Sequence, residues 1–191
     1  SAPAQRVDCS PLTVDKLEGK SVSDIAALPL VVGNQKQRVD ELFDIEGDDP
    51  AVMRFEKATD KLDHIGHGMS TGTITVNGNA GAYLGQFMMG GEIIVNGNTG
   101  IYTACEMKKG FIKVNGDAGD FVGAARIGYK NGMTGGVVVI TGNTGARTGD
   151  HMRRGMILIE GNAGDYCGSR MVSGTIAVLG QVGAHLGYAM K

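Results

Sequence analysis

The sequence predicts an all-β protein: a right-handed parallel β-helix of 19-residue coils with a small α/β cap at its N-terminal end. Two observations support this prediction, the regular recurrence of glycine and the short apolar runs between the glycines. The glycines that close these runs are 19 residues apart, with one longer interval of 26: Gly78, Gly97, Gly116, Gly142, Gly161 and Gly180. A fixed repeat of this length is typical of stacked units that bury their apolar faces against one another.

Each repeat contains a short strand with one apolar face. In the repeat that ends at Gly97, Ile93 and Val95 alternate with Glu92 and Ile94, as in a strand buried on one side. Runs this short do not form stable helices. The positions equivalent to Ile93 and Val95 are all β-branched and are predicted to face the core: Ile74, Val76, Ile93, Val95, Ile112, Val114, Val138, Ile140, Ile157, Ile159, Ile176 and Val178.

Two other side-chain columns follow the same period. Methionine recurs once per coil at Met69, Met88, Met107, Met133, Met152, Met171 and Met190. Ring side chains recur at His64, Tyr83, Tyr102, Phe121, Tyr166 and His185. Both columns are interpreted as stacked packing. Because a metal site needs three or four converging ligands, the pair His64 and His67 does not predict one.

Residues 1–51 lack the repeat and are predicted to form the cap. Ser21 followed by Asp24 indicates the N-terminus of a short helix. Residues 30–32 read as a strand that leads into a turn, and residues 39–45 are predicted to carry a second short strand or turn. A cap is expected because an open end of the stack would expose strand edges and apolar core.

The β-helix is predicted to span residues 52–191. Residues 52–71 read as a degenerate first coil, in which Phe55 precedes Ile74 by the repeat length. The longer glycine interval places an insert at residues 124–135, which is predicted to protrude as a loop because the repeat resumes after it.

Composition excludes several classes of protein. The net charge of −2 gives no reason to expect nucleic-acid binding, and no apolar run has the length of a membrane span. Cys9, Cys105 and Cys167 are odd in number and widely separated, which favours free thiols and a cytoplasmic location. Lys191 directly follows Met190, the last methionine of the column, so the chain is expected to stop within a coil. Either the chain is a truncated form, or a second polypeptide covers that end.

No motif predicts catalytic, cofactor-binding or metal-binding residues in this chain. The glycine pattern differs from nucleotide-binding loops and recurs without a helix after it, and no nucleophile elbow is present. An enzyme acting on polysaccharides is the alternative, since many β-helices have that activity. The outward strand positions lack the carboxylate cluster that such enzymes use.

The outward face of the central strands is apolar where water contact would favour polar residues. This apolar stripe is the predicted partner interface and comprises Ile94, Phe111, Val137, Val139, Met156 and Leu158. Arg126, Tyr129 and Lys130 of the insert are predicted to add contacts. The alternative is that the N-terminal cap folds back over the stripe.

The sequence also resembles a known family. Residues 7–12, 17–21 and 32–34, the glycine-rich repeats and the insert 125–135 resemble the C subunit of formylmethanofuran dehydrogenase over essentially the whole chain. The opening at residues 5–8 is more similar to the bacterial form, the C subunit of the formyltransferase/hydrolase complex. The repeat alone also resembles the C-terminal domain of glutamate synthase large subunits.

The resemblance implies a non-catalytic scaffold subunit of a hetero-oligomer in one-carbon metabolism. Its partners would be an amidohydrolase-type, a formyltransferase and a dehydrogenase-derived subunit, which transfer the formyl group of formyl-tetrahydromethanopterin to methanofuran and release formate. Methanofuran and tetrahydromethanopterin would be handled by those partners and not by this chain. The C subunit of an archaeal-type formylmethanofuran dehydrogenase and a glutamate-synthase-type β-helix module remain open as alternatives.

Overall fold

The computed structural model describes residues 3–47 and 51–191 and consists mostly of strands. Its helices are α1 (Val14–Leu17), α2 (Val22–Ala26) and α3 (Val39–Leu42). Its strands are β1 (Val7–Asp8), β2 (Pro29–Val32), β3 (Gln35–Arg38), β4 (Val52–Ala58), β5 (Leu62–Asp63), β6 (Thr73–Gly78), β7 (Met89–Asn96), β8 (Lys109–Val114), β9 (Thr134–Ile140), β10 (Arg154–Ile159) and β11 (Thr175–Val178). None of these helices is long and apolar enough to cross a membrane.

Seven strands form one parallel sheet that runs the length of the stack, in the order β11-β10-β9-β8-β7-β6-β4. Equivalent residues pair across it, as Ile74 does with Ile93 and Ile93 with Ile112. A second column of parallel bridges joins the coils at Ala80, Thr99, Ala118, Thr144, Ala163 and Val182. The parallel β-helix predicted from the glycine period is therefore confirmed.

The core lies inside the coils, as the alternation of the strands predicts. The predicted inward residues of β6 to β10 are fully buried, and so are the ladder methionines from Met69 to Met152. Cys167 is buried at a position that Leu84 and Val122 fill in other coils. In the last coil Leu186 and Met190 are exposed at positions buried elsewhere, since no coil of the described chain lies over them.

The ring column is confirmed as a stack. Successive rings from His64 to Phe121 lie nearly parallel, with centroids 4.7–5.0 Å apart. Every member has a positive φ, such as 61° at Tyr83 and 62° at Tyr102. This conformation is costly for a non-glycine residue, and the rings recover part of that cost by stacking. Arg147 fills the place between Phe121 and Tyr166, with its guanidinium carbon 4.5 Å from the Tyr166 ring centroid.

The cap contains the helix that Ser21 and Asp24 predict, because α2 begins with a capping box formed by these two residues. Strands β2 and β3 then form an antiparallel hairpin, of which only β2 was expected. The prediction of a strand or turn over residues 39–45 is wrong, because a short helix occupies the first half of this segment. The segment begins with helix α3, closed by a 2.8 Å hydrogen bond from the N–H of Phe43 to the carbonyl of Val39.

The cap joins the β-helix at its first coil. Strand β1 pairs in parallel with β5, and Arg6 forms a 2.7 Å ion pair with Asp63. The Asp15 carboxylate of α1 also accepts a 2.8 Å hydrogen bond from the backbone N–H of Ser70. The division between residues 51 and 52 stays a prediction, and residues 1–2 and 48–50 of the predicted cap lie outside the described residues.

The register predicted for the first coil is wrong by two residues in β4, although His64 stacks on Tyr83 at the regular 19-residue spacing later in the same coil. Phe55 pairs with Val76 and not with Ile74, which pairs with Met53. The pairing shifts between Phe55 and Ala58, where Lys57 adopts a φ of 54°. This irregularity takes up one extra residue in β4, since the three steps from Phe55 to Ala58 oppose two steps from Val76 to Gly78.

The protruding loop is shorter than the insert predicted at residues 124–135. Thr134 already belongs to β9 and Ala124 is buried. The N–H of Met133 bonds to the carbonyl of Gly123 at 2.8 Å, which closes the base of the loop. Residues 126–131 therefore protrude, and residues 126–132, which end at the buried Gly132, are called the corner loop below.

Candidate partner interface

The apolar stripe occupies the outward face of strands β7 to β10. In one row, Ile94 pairs with Lys113, which pairs with Val139, which pairs with Leu158. In the other row, Phe111 pairs with Val137, which pairs with Met156. Adjacent strands lie about 4.8 Å apart, so five of the six predicted residues are direct neighbours on β8 to β10, and Ile94 lies diagonally across from Phe111, beside Lys113.

The stripe keeps part of its surface open to solvent. Met156 is 45% exposed and the other five residues are half-buried, whereas the residues between them, such as Ile157, have no exposed surface. Glu92 and Lys113 are the charged residues within these rows. The cap sheet pairs with the first coil through β5 and forms no strand pairing with β7 to β10 within the described chain.

The corner loop is braced by contacts of Arg126 with its own and earlier coils. Its guanidinium carbon lies 4.8 Å from the ring centroid of Phe87 and 4.1 Å from that of Tyr129. Its Nε donates a 2.9 Å hydrogen bond to Glu106, whose carboxylate also accepts from the Arg126 backbone N–H at 3.2 Å. The hydrogen-bonded ion pair with Glu106 raises the pKa of Arg126, so the guanidinium stays charged. Arg126, predicted as a contact residue, is thus first a brace for its own loop.

The tip of the corner loop presents Ile127, a residue absent from the predicted interface. Its side chain is 87% exposed, more than any other large hydrophobic residue in the described chain. Tyr129 is 55% exposed beside it, and Lys130 is also exposed. The signal for Ile127 was available in the sequence, since an isoleucine inside an insert has no core position to fill.

Cations surround the base of the corner loop. The exposed ones, called the basic corner below, are Lys108, Lys109, Lys130, Arg153 and Arg154. The N–H of Thr134 bonds to the Met107 carbonyl, and the N–H of Arg153 bonds to the Met133 carbonyl, which places these residues in adjoining coils. Across residues 3–47 and 51–191, the ion pairs formed are Arg6–Asp63, Arg38–Asp40, Arg126–Glu106 and Arg170–Asp150, so the basic corner has no carboxylate partner.

Two histidines lie together at the first coil. The rings of His64 and His67 meet edge to face with centroids 5.6 Å apart, and His67 also contacts Phe87. Burial and the neighbouring His64 lower the pKa of His67, which keeps it neutral. In the described part of the chain no three His, Cys, Asp or Glu side chains converge, and the absence of a metal site stays a prediction.

All three cysteines are free and buried. Burial raises the pKa of the Cys105 thiol to about 12 and also raises the pKa of Cys9 and Cys167. A thiolate is the reactive form of cysteine, so none of these thiols suits a nucleophilic role at neutral pH.

No family model matches the chain. It is 35% identical over 80 residues to the C subunit of the tungsten-containing formylmethanofuran dehydrogenase 2 of Methanococcus maripaludis, covering 41% of this chain and 29% of that protein. It is 39% identical over 73 residues to the C subunit of the molybdenum-containing enzyme 1 of Methanothermobacter marburgensis, covering 37% and 18%. The matched segments thus span less than a third of these curated relatives.

The fold comparison covers more of the molecule. A chain in the crystal structure of the formyltransferase/hydrolase complex (FhcABCD) from Methylorubrum extorquens, determined with methylofuran, superposes with a TM-score of 0.95. The two are 36% identical, and the match covers 99% of this chain and 71% of that one. The chain therefore belongs to the C-subunit family of formylmethanofuran dehydrogenases and formyltransferase/hydrolase complexes.

Proposed function

We propose that this chain is a non-catalytic scaffold subunit of a formyltransferase/hydrolase complex and binds its partner subunits through the apolar stripe. The observation that carries the proposal is the cluster of partly exposed apolar side chains on the outward face of β7 to β10, in which Lys113 and Glu92 are the charged residues. An outward sheet face of this composition marks an interaction surface. Burying such a patch against a partner is favourable at about 25 cal/mol per Å² of apolar surface.

The proposed partners are an amidohydrolase-type, a formyltransferase and a dehydrogenase-derived subunit. Their reactions transfer a formyl group from formyl-tetrahydromethanopterin to methanofuran, or to the methylofuran found with the M. extorquens complex, and then hydrolyse the formylated carrier with water to formate and the free carrier. The buried, protonated thiols and the apolar outward strand face support a role without chemistry in this chain. The free cysteines support the cytoplasm as its compartment.

The archaeal-type formylmethanofuran dehydrogenase is the second candidate, favoured by the identity to the M. maripaludis protein. The match over 99% of the chain to the M. extorquens complex favours the first candidate. Mass spectrometry of the complex purified from native cells separates them, because only the dehydrogenase would contain a tungsten or molybdenum subunit. A glutamate-synthase-type module would instead purify without either set of partners.

The double variant Val139→Lys with Leu158→Lys tests the stripe. Two ammonium groups in a buried apolar interface would be desolvated without partners, so we expect at least about tenfold weaker binding to the co-purifying subunits. The isolated variant should stay folded with the far-ultraviolet circular dichroism of the parent chain, because both side chains point outward, and should melt at a somewhat lower temperature, because Lys113 would then lie in a row with two added lysines. Binding is measured by titration of the purified subunits.

The matched control is Thr73→Lys with Thr175→Lys, which adds the same charges at outward positions on β6 and β11. This control should bind as the parent does. Unfolding of the stripe variant in isolation would show that the stripe is internal. Normal binding by a folded stripe variant would place the interface elsewhere.

A further inference from the structure

The most exposed large apolar side chain of the described molecule lies on a loop that is held by several hydrogen bonds and ring contacts. Ile127 is 87% exposed at the tip of the corner loop. Exposed single hydrophobic residues are common on protein surfaces and need no explanation by themselves. Here hydrogen bonds hold the surrounding backbone. An apolar side chain on such a loop loses less conformational entropy when it binds a partner.

Hydrogen bonds pin the corner loop at both ends and in the middle. The N–H of Ala125 bonds to the Asp150 carbonyl at 3.1 Å, and the N–H of Gly132 bonds to the His151 carbonyl at 2.9 Å. Between them, the N–H of Tyr129 bonds to the Arg126 carbonyl at 3.0 Å and closes a turn around Ile127. A group held in its bound position before contact loses little conformational entropy on binding.

The side chain of Arg126 also supports the loop, through contacts with two rings and one carboxylate. Its guanidinium is stacked between Phe87 and Tyr129 and is neutralised by Glu106. It is therefore used within the loop and is not free to contact a carboxylate elsewhere. The positive charge available to a partner comes instead from the basic corner.

The basic corner lies on both sides of the loop base. Arg153 reaches the loop directly, since its Nη2 donates a 3.3 Å hydrogen bond to the carbonyl of Lys130. On the other side, the backbone of Thr134 bonds to Met107, the residue before Lys108 and Lys109. The loop that carries the exposed apolar tip thus has cations on two sides of its base, and no carboxylate of the described chain forms an ion pair with them.

We propose that Ile127 is a preorganised anchor that inserts into an apolar socket, rimmed by carboxylates, on a partner subunit. This inference rests on the proposed role within a complex and adds a second contact, on the loop, to the stripe. Complementary charge determines the rim of the socket, because the unpaired cations of the basic corner attract carboxylates and repel a basic surface. The apolar tip among them requires a protein pocket and not a bare polyanion.

The affinity test uses Ile127→Asp in the full chain, titrated with the purified subunits that assemble with the parent. A carboxylate would be placed in an apolar socket beside other carboxylates, so the dissociation constant should rise at least about tenfold. The matched control is Ile101→Asp, the same change at an isoleucine that is 44% exposed on a different corner. This control should bind as the parent does, and both variants should melt as the parent does.

A second test concerns the carboxylates proposed at the rim of the socket. Lys130→Gln with Arg153→Gln should weaken binding and make the remaining affinity less sensitive to added salt, because screening acts on fewer charge pairs. An unchanged salt dependence would overturn the acidic rim. Normal binding by Ile127→Asp while the Val139→Lys with Leu158→Lys variant fails to bind would overturn the anchor and leave the proposed function standing.

A cross-linking experiment identifies the socket directly. Since the three native thiols are buried, Ile127→Cys provides a single reactive site for a thiol-linked photoactivatable group. We expect the cross-linked partner peptide to contain apolar residues flanked by Asp or Glu. A peptide flanked by Lys or Arg, or cross-linking no stronger than from an Ile101→Cys control, would overturn the proposal.

Discussion

Ile157→Asp is expected to prevent the chain from folding. Ile157 has no exposed surface and lies between Val138 and Ile176 in the continuous sheet, with its side chain directed at the turn that contains Gly123. The change removes about 2–3 kcal/mol of apolar burial. It also buries a carboxylate without a partner, at a cost of several kcal/mol more. The sum is comparable to the entire free energy of unfolding of a typical domain, about 5–15 kcal/mol.

Circular dichroism and thermal unfolding of the isolated chain measure this effect. Thr175→Asp is the matched control, because Thr175 pairs with Met156 on the same sheet but is exposed on the outward face. We expect the control to melt within a few degrees of the parent. A folded Ile157→Asp protein with a similar melting temperature would refute the inward assignment of this column.

Gly97→Ala is expected to destabilise the chain by about 3 kcal/mol, the upper part of the usual range for overpacking. A Cβ at Gly97 would lie 2.3 Å from the carbonyl oxygen of Gly78 in the preceding coil. That atom belongs to the backbone and cannot rotate away, as a side chain could. The added methyl group would therefore push two coils apart and strain the hydrogen bonds that stack them.

Gly128→Ala is the control for Gly97→Ala. Gly128 has a φ of 87° and open space around its Cα, so alanine there should cost only about 1 kcal/mol of backbone strain. Urea unfolding of both variants gives the comparison. Equal losses of unfolding free energy would mean that close contact between coils does not explain the glycine at position 97.

The regular coils could be read from the sequence because each one repeats the same local requirements. The inward residues of β6 to β10 and the methionine ladder occupy the predicted positions, since alternation and period are properties of the chain itself. The ring column followed for the same reason. Arg147 was missed because it is not aromatic, although the spacing across the insert places it in line with Phe121 and Tyr166.

The sequence predictions failed in segments whose conformation depends on contacts with neighbouring elements. Phe55 is shifted by two residues because β4 pairs with β6 at an offset of 76 − 55 = 21 residues, and the irregularity before Ala58 takes up one of the two extra residues. Helix α3 replaces the expected strand or turn, since a single helical turn packs the buried Val39 against the cap hairpin. Neither outcome leaves a periodic signal in a segment this short.

In the candidate interface, too, one part could be predicted from the sequence and another part could not. The membership of the apolar stripe follows from alternation alone, and pairing places its residues on β8 to β10 side by side, with Lys113 between Ile94 and Val139. The role of Arg126 could not be read from the chain, because Phe87 and Glu106 come from earlier coils and meet it only when the coils stack. Whether these residues bind a partner stays a prediction that the variants above test.

By itself, the sequence determined the coil length, the inward and outward faces of each strand, and the stacking of like residues, because a repeat imposes the same short-range chemistry in every coil. Only the tertiary structure decided where the cap joins, how β4 is registered, and which insert residues are buried, braced or exposed. These outcomes depend on contacts between residues far apart in the chain, as between Asp15 and Ser70 or Arg126 and Phe87. Such contacts do not follow the repeat, so no period in the sequence encodes them.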